Sequence, residues 1–558
     1  MKFLLLFIPI LLTLHAQNFD EDTLKKQIGR MLVVGFNDKS LDENSRIARE
    51  IRKYELGGVI LFDRFYNDKN RTKNISSPQQ LRELTAKLHS FSKKPLFVCI
   101  DQEGGRVARL KPQYGFTKIP SAKKISLMES ADVQNIYAAQ AKMLRQNGIN
   151  CNFAPVLDLA LNPKNKVIVG LERSFSESSL QVLKYAKILI EAQRAQHVIS
   201  VLKHFPGHGS SLGDSHQGFV DVSKSWNEKE LEPYQELIDS QDADMIMTAH
   251  VFNSRLDKTY PATLSYKVNT ELLRKKMGFR GVVISDDLQM KAISEHFTLK
   301  ETLTLAINSG VDMLLFGNQL ASQSVDVLID MIYSQVKSKK IPHARILEAN
   351  RRIENLHTKN SIVSRAIKFE EERIAMTKEY IKQHYGLSVA DIKIKPKIIV
   401  LHWTAVMDFE KSFKRLYPQT LYSDRADIAN AGALNVSAHF LIKRNGEIIR
   451  LMPSDHMARH VIGLNYSSIG IENVGGENNT EDDLTPAQLQ ANIALVHYLK
   501  AQYPDIQYLI GHHEYTKMQD TPLWLEKDAS YRTKKADPGD RFMREIRASL
   551  QELGLKRP

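Results

Sequence analysis

Along the 558-residue chain, carboxylates and imidazoles recur at the ends of short apolar runs, where a folded chain could present them to a substrate. Asp101 closes the run from Leu96, Asp158 the run from Asn150, and Lys203-His204 fall near the end of Val198–Phe205. His250 follows Met245–Ala249, and Asp286, with Asp287 beside it, follows Val282–Ser285. After KHFPGHG (Lys203–Gly209) comes DSH (Asp214–His216), with Gly207, Gly209 and Gly213 around it in the manner of a mobile loop. A carboxylate can attack an electrophilic carbon. An imidazole titrates near neutrality, so it can donate a proton and later take one back. A second group lies beyond residue 395: His402 after a strand-like KIIVL, the adjacent His512 and His513 in IGHHE, and Asp537 in KKADPG.

The elements that must position these residues follow from the hydrophobic pattern. Eight continuous apolar runs are predicted as strands: Leu32–Phe36, Gly58–Phe62, Leu96–Asp101, Asn150–Asp158, Val198–Phe205, Met245–His250, Val282–Asp286 and Met313–Gly317. Continuous rather than alternating runs suit parallel strands covered on both faces. Amphipathic stretches such as Ser77–Phe91, Ala131–Gln146 and Ser179–Gln196 lie between them, the first opening with an N-cap serine and a proline. Eight β-then-α units predict an α/β fold of the (β/α)8 barrel type, in which chemistry sits at the C-terminal strand ends. Residues 356–392, rich in Lys, Arg and Glu at helical spacing, are predicted as a charged linker between a barrel at 17–355 and a smaller α/β domain at 393–558.

Met1-Lys2 followed by the apolar run Phe3–Leu14 predicts a secretory signal over residues 1–16, too short to span a bilayer comfortably. Export is therefore expected, with a periplasmic destination and no stable membrane span after signal removal. Cys99 and Cys151 sit inside strand-like runs and are expected as small buried hydrophobes rather than a disulfide. With 42% hydrophobic and 25% charged residues, the composition is that of a globular protein rather than a disordered one. The formal charge of +13 suits an anionic wall polymer or membrane surface without selecting either, whereas the absence of an aromatic-basic repeat argues against nucleic acid.

DQEGGRVARL (Asp101–Leu110), KHFPGHG, DSH and ISDDLQM (Ile284–Met290) together resemble family 3 glycoside hydrolases, in particular the NagZ-type β-N-acetylglucosaminidases. The resemblance implies a retaining hydrolase with Asp286 as nucleophile. It also implies His216 as acid/base, oriented by Asp214, and sugar contacts from Asp101, Arg109, Arg173, Lys203 and His204. The implied substrate is a terminal β-linked N-acetylglucosamine, and no cofactor is implied.

IVLHWTA (Ile399–Ala405), VSAHFLIKRNGEI (Val436–Ile448), SIGIENVG (Ser468–Gly475), IGHHE (Ile510–Glu514) and KKADPG resemble the type-2, AmpD-like N-acetylmuramoyl-L-alanine amidases. That resemblance implies one Zn2+ on His402, His512 and Asp537, a ligand set that leaves a position open. His513 is the rival for His512. Glu472 is implied as general base and Lys535 as the cation beside the developing oxyanion. His439 and His460 are expected to be structural or to touch substrate. The stretch between His512 and Asp537 is long for the family, and it contains Trp524. The partners implied by the two halves together are peptidoglycan fragments (muropeptides) or intact glycan. The alternative is a glucosaminidase whose amidase-like domain binds peptidoglycan without cutting it.

Overall fold

A computed structural model describes residues 20–213, 218–429 and 431–558. The expected signal segment and the Asp214–His216 dyad lie outside the described residues. The chain divides into two compact units, Met1–Arg351 and Arg352–Pro558.

All eight predicted strands of the first unit form. They are β1 (Leu32–Gly35), β2 (Gly58–Leu61), β3 (Phe97–Ile100), β4 (Cys151–Asn152), β5 (Ile199–Phe205), β6 (Met245–Thr248), β7 (Val282–Ser285) and β8 (Leu314–Phe316). Their order is β8-β1-β2-β3-β4-β5-β6-β7, all pairs parallel, and an Ile284–Met313 bridge joins the two ends into a barrel. Every residue of β1, β2, β3 and β5 is buried, as continuous apolar runs demand. The fourth strand is far shorter than its apolar run because Pro155 has no N–H to give a neighbour. The predicted helix start at Ser77 is present: its hydroxyl accepts from Gln80 N–H, and Pro78 is the first helical residue. Cys99 and Cys151 face each other in register as buried free thiols.

The second unit is built on a mixed sheet of β9 (Val363–Ser364), β10 (Ile398–Trp403), β11 (Phe440–Ile442), β12 (Ile448–Arg450), β13 (Ser468–Asn473) and β14 (Tyr508–Gly511). The order is β9-β12-β11-β13-β10-β14. Strand alternation sorts its residues between two faces. Ile399, Leu401, Trp403, Ile469 and Ile471 share a core with Leu495, Val496, Leu499, Phe542 and Ile546 of two helices, Pro486–Gln502 and Asp540–Ser549. The first of these helices opens with a capping box between Thr485 and Gln488. Ile398, Val400 and, by the same period, His402 look to the other side. Among the described residues, no helix is long and apolar enough to cross a membrane.

The linker expected over 356–392 is corrected. Val363–Ser364 pair with β12, and the helix Glu371–Tyr380 runs on into a π-helical turn at Ile381–Tyr385. Tyr380, Ile381 and Tyr385 are buried with Ile392, Ile394, Leu434 and Met457. Charge at helical spacing reads as a solvated face, but the few apolar residues among those charges are what the second unit buries. Ile381→Ala should therefore destabilise that unit by about 2–5 kcal/mol, read from its urea midpoint. A true linker residue would leave the midpoint unmoved.

Candidate active sites

In the first unit, a cavity of about 630 Å3 is lined by Asp101, Arg109, Arg173, Lys203, His204, Asp286 and Asp287. The structure thus brings together the described barrel residues to which the resemblance assigns a role. Asp101 Oδ2 accepts from Arg109 Nη2 and its Oδ1 from Lys203 Nζ, both at 3.0 Å. The return of Arg109 onto Asp101 is set locally: Gln102 Oε1 accepts the Arg109 and Leu110 N–H groups at 2.9 Å, pinning the turn between them. Gly104 and Gly105 make that turn at positive φ, and a Cβ on Gly104 would lie 2.2 Å from the Pro120 carbonyl oxygen.

Sequence reasoning missed Glu103. Its carboxylate takes a two-pronged bond from Arg173 (Nε 2.8 Å, Nη2 2.7 Å) and an ion pair from Lys203 at 2.7 Å. The signal was there, because a residue two positions after Asp101 on extended chain returns to the same face. Burial opposes ionisation of Asp101, yet Lys203 and Arg109 hold its carboxyl well below the ordinary range. Glu103 is likewise held low, by Arg173 and Lys203 against its burial. Burial works against the charge on Lys203, and Asp101 and Glu103 more than reverse that, raising it above its ordinary range.

Asp158 was noticed only as the end of a strand-like run. Its Oδ2 lies 2.6 Å from His204 Nδ1, and its Oδ1 accepts the His208 N–H at 2.8 Å. Despite full burial it is held near 2, chiefly by His204. The His204 Nδ1–H is therefore committed to Asp158, and Nε2 accepts from Arg173 Nη2 at 3.3 Å. Beyond His208, the buried Glu230 accepts from the Gly209 N–H and the Ser210 hydroxyl, tying down the chain just before the Asp214–His216 dyad. Asp286 and Asp287 both line the cavity, so strand alternation does not separate them. Their bonding differs: Asp287 Oδ1 accepts the Gln289 N–H at 3.1 Å, and its carbonyl lies 3.0 Å from His250 Nε2. Asp286 Oδ1 accepts the Asp287 N–H at 2.8 Å.

In the second unit, His402, His512 and Asp537 converge, with ligand atoms within 4.8 Å of one another. His402 Nδ1 lies 2.9 Å from His512 Nδ1 and 3.2 Å from Asp537 Oδ2, and the His512–Asp537 separation is 3.0 Å. The rival His513 turns away, its Nδ1 on the Asp537 carbonyl and its Nε2 near Asp540. Burial pushes the His512 imidazole down to about 4. Asp537 is buried too, but His512 and His402 keep its carboxyl far below the usual range.

The partners behind His402 fix its tautomer. Ser468 Oγ donates to the Leu464 carbonyl at 2.8 Å, which leaves its oxygen to accept from His460 Nε2–H at 3.1 Å. His460 is held neutral, first by burial and then by neighbouring imidazoles, so its Nδ1 accepts from His402 Nε2–H at 3.0 Å. His402 Nδ1 is then a bare lone pair aimed at His512 and Asp537. Lone pairs converging with an ionised carboxylate make a donor set that fits Zn2+. His439 is structural: its Nδ1 accepts the Gly470 N–H, and its Nε2–H donates to the His456 carbonyl.

Glu472 stands directly across from His402 in the β10–β13 register and lines the same 460 Å3 cavity as Lys535. Burial, with Asp537 nearby, drives its carboxyl well above the ordinary range, against Lys535 and Arg425. The long stretch after His512 is a built wall of this cavity. Trp524 stacks on Tyr515 at 6.0 Å and lies where a Cβ on Gly463 would be, while Tyr531 and Thr533 face the cavity.

Gly470 is what allows the His460 support: a Cβ there would meet the His460 ring at 2.7 Å. Gly470→Ala should displace His460, release His402 and weaken zinc affinity about 10–100-fold in a competitive chelator titration. Unchanged affinity would remove His460 from any role in holding His402.

Comparison with known proteins matches each unit to a family model. Residues 23–356 match the glycosyl hydrolase family 3 N terminal domain, and residues 393–540 match N-acetylmuramoyl-L-alanine amidase. A beta-hexosaminidase of Nitrosomonas eutropha is 30% identical over 343 residues, covering 58% of this chain and 92% of that one. Beta-hexosaminidase A of Pseudoalteromonas piscicida is 35% identical over 340 residues, 56% of this chain but only 55% of that longer protein. Among solved structures, M tuberculosis LpqI is 27% identical with a TM-score of 0.52, covering 60% of this chain and 93% of that one. The chain belongs to glycosyl hydrolase family 3 and carries, on the same polypeptide, an N-acetylmuramoyl-L-alanine amidase domain.

Proposed function

We propose that this protein is a bifunctional peptidoglycan hydrolase that releases terminal β-1,4-linked N-acetylglucosamine and also cuts the lactyl–L-alanine amide. The observation that carries the reading is that the barrel gathers Asp286 with the sugar-binding residues around one cavity, and the second unit gathers His402, His512, Asp537, Glu472 and Lys535 around another. In the barrel, Asp101, Arg109, Arg173, Lys203 and His204 bind and orient the sugar. Asp286 attacks the anomeric carbon while His216, steadied by Asp214, protonates the departing oxygen. His216 then takes a proton from the water that releases the sugar from Asp286. Fixed charges suit this work, since Asp101, Lys203 and Glu103 are already locked in place before substrate arrives.

In the second unit, His402, His512 and Asp537 would hold one zinc ion, whose Lewis acidity polarises the scissile carbonyl and acidifies water. Glu472 takes the proton of the attacking water, a task suited by a carboxyl raised from its usual range. Lys535 faces the oxygen that gains negative charge. The barrel reaction needs no cofactor. The pattern at Met1–Gln17 supports export, with muropeptides or glycan outside the cytoplasm as the substrate.

Two measurements test this. Asp286→Asn should lower release of an aryl N-acetylglucosaminide by several orders of magnitude, and wild-type turnover in that variant would falsify the nucleophile assignment. Chelation should abolish amide cleavage of a disaccharide-peptide, leave sugar release intact, and be reversed by zinc. Amide cleavage that survives chelation sinks the metal assignment. No amide cleavage under any condition favours the alternative, an amidase-like domain that only binds.

A further inference from the structure

His250 follows the end of β6 and does not line the barrel cavity, yet it is buried and both of its ring nitrogens are engaged. Its Nε2 lies 3.0 Å from the Asp287 carbonyl oxygen, and its Nδ1 lies 2.8 Å from the Thr263 hydroxyl. A carbonyl can only accept, so Nε2 carries the proton shared with Asp287. Thr263 sits in a short helical turn, Ala262–Leu264, and is itself held in place. Its oxygen accepts from the Thr248 hydroxyl at 3.0 Å and lies 2.9 Å from the Ala249 carbonyl oxygen. Thr248, His250 and Thr263 are all buried, so the group is packed as well as bonded.

What this group grips is the turn that carries Asp286. The Asp287 N–H donates to Asp286 Oδ1 at 2.8 Å, so the backbone at Asp287 sets where the Asp286 carboxylate sits. That backbone is fastened from several sides. The Asp286 N–H donates to the Thr248 carbonyl at 3.2 Å, and the Leu288 N–H donates to the Leu315 carbonyl at 3.0 Å. The Asp287 carboxylate accepts the Gln289 N–H, and Gln289 is tied in turn to Asn318, whose N–H donates to Gln289 Oε1 at 2.7 Å. Gly317 leaves space for that carboxylate, since a Cβ there would lie 2.5 Å from Asp287 Oδ2. The bonds to Thr248 and Leu315 hold the residues on either side of Asp287. The bond from His250, with one from the Met290 N–H at 2.9 Å, holds the Asp287 carbonyl itself.

We propose that His250 is a positioning residue for the nucleophile, acting through Asp287 without touching the sugar. The proposal rests on the glycosidase reading of the barrel, with Asp286 as the attacking carboxylate. Attack on the anomeric carbon needs a carboxylate oxygen in line with the departing group, and a misplacement of about 1 Å can cost on the order of 100-fold in rate. Without the Nε2 donor, the Asp287 carbonyl loses a buried partner, and the turn can rotate at Asp287. Its N–H then no longer presents the Asp286 carboxylate at one angle. The sugar contacts of Asp101, Arg109, Arg173, Lys203 and His204 come from elsewhere around the cavity, so binding and attack are separable.

The test traps the full-length chain with a 5-fluoro N-acetylglucosaminyl fluoride. An Asp286 oxygen bonds to the anomeric carbon, the carbon–fluorine bond breaks, and fluoride leaves with the bonding pair. Fluoride needs no proton to leave, so this step reads the nucleophile apart from the acid His216. The trapping rate is compared for wild type, His250→Gln, whose amide reaches the Asp287 carbonyl, and His250→Asn, which is too short to do so. His250→Asn should trap about 10–100-fold more slowly. Its affinity for N-acetylglucosamine should stay within about twofold of wild type, because only the reacting geometry has changed. His250→Gln should recover most of the rate. If His250→Asn does not fold, His250→Met takes its place, filling the ring's space without a donor. Wild-type trapping in the donor-less variant overturns the proposal, and so does an equal loss in His250→Gln. A fall in sugar affinity that matches the fall in trapping overturns it as well, since that marks a structural role. If peptide mapping finds no label on Asp286 in the wild-type chain, the nucleophile assignment itself fails, whatever the variants do.

Discussion

Charge buried at the end of a strand must be matched by charge, and both units of this chain are organised by that constraint. A lone ion in such a place would be discharged or would destabilise the fold. In the barrel, Lys203 stays charged because Asp101 and Glu103 both reach it, and Arg173 completes Glu103. None of these residues could be placed alone. Their network fixes the floor of the cavity before any sugar enters, so binding does not have to order it.

The second unit meets the same constraint with imidazoles. A neutral histidine can be buried cheaply, but its two nitrogens must then be assigned one role each. The run from Leu464 through Ser468 and His460 to His402 makes that assignment by passing one donor along at each step. Glycine at position 470 is the steric condition for the run, because the ring of His460 occupies the space of its missing side chain. Strand alternation explains why His402 and Glu472 emerge together, since Leu401, Trp403 and Ile471 beside them face the apolar core.

Much of this was legible in the sequence, and what was not has a common cause. The eight strands were readable because burial on both faces leaves an uninterrupted apolar run, and the motif residues at their ends were readable because those positions face the barrel mouth. The face that Glu103 shares with Asp101 was readable too, but its role, like those of Asp158 and His460, was not, because each depends on a partner far along the chain: Arg173 for Glu103, His204 for Asp158, His402 for His460. The 356–392 stretch failed in another way. Its composition is dominated by charge, so the pattern of Tyr380, Ile381 and Tyr385 was outvoted, although those three residues are what the second unit buries.

The two cavities also differ in what their charges are for. Around Asp101 and Glu103, opposite charges neutralise each other within the protein, leaving directed hydrogen-bond donors and acceptors for an uncharged sugar. Around His402, His512 and Asp537, three electron-pair donors point at one another instead, an arrangement that a bound cation would satisfy. An uncharged ring and a cation thus ask opposite things of buried polar groups, and one chain meets both by confining each to its own core.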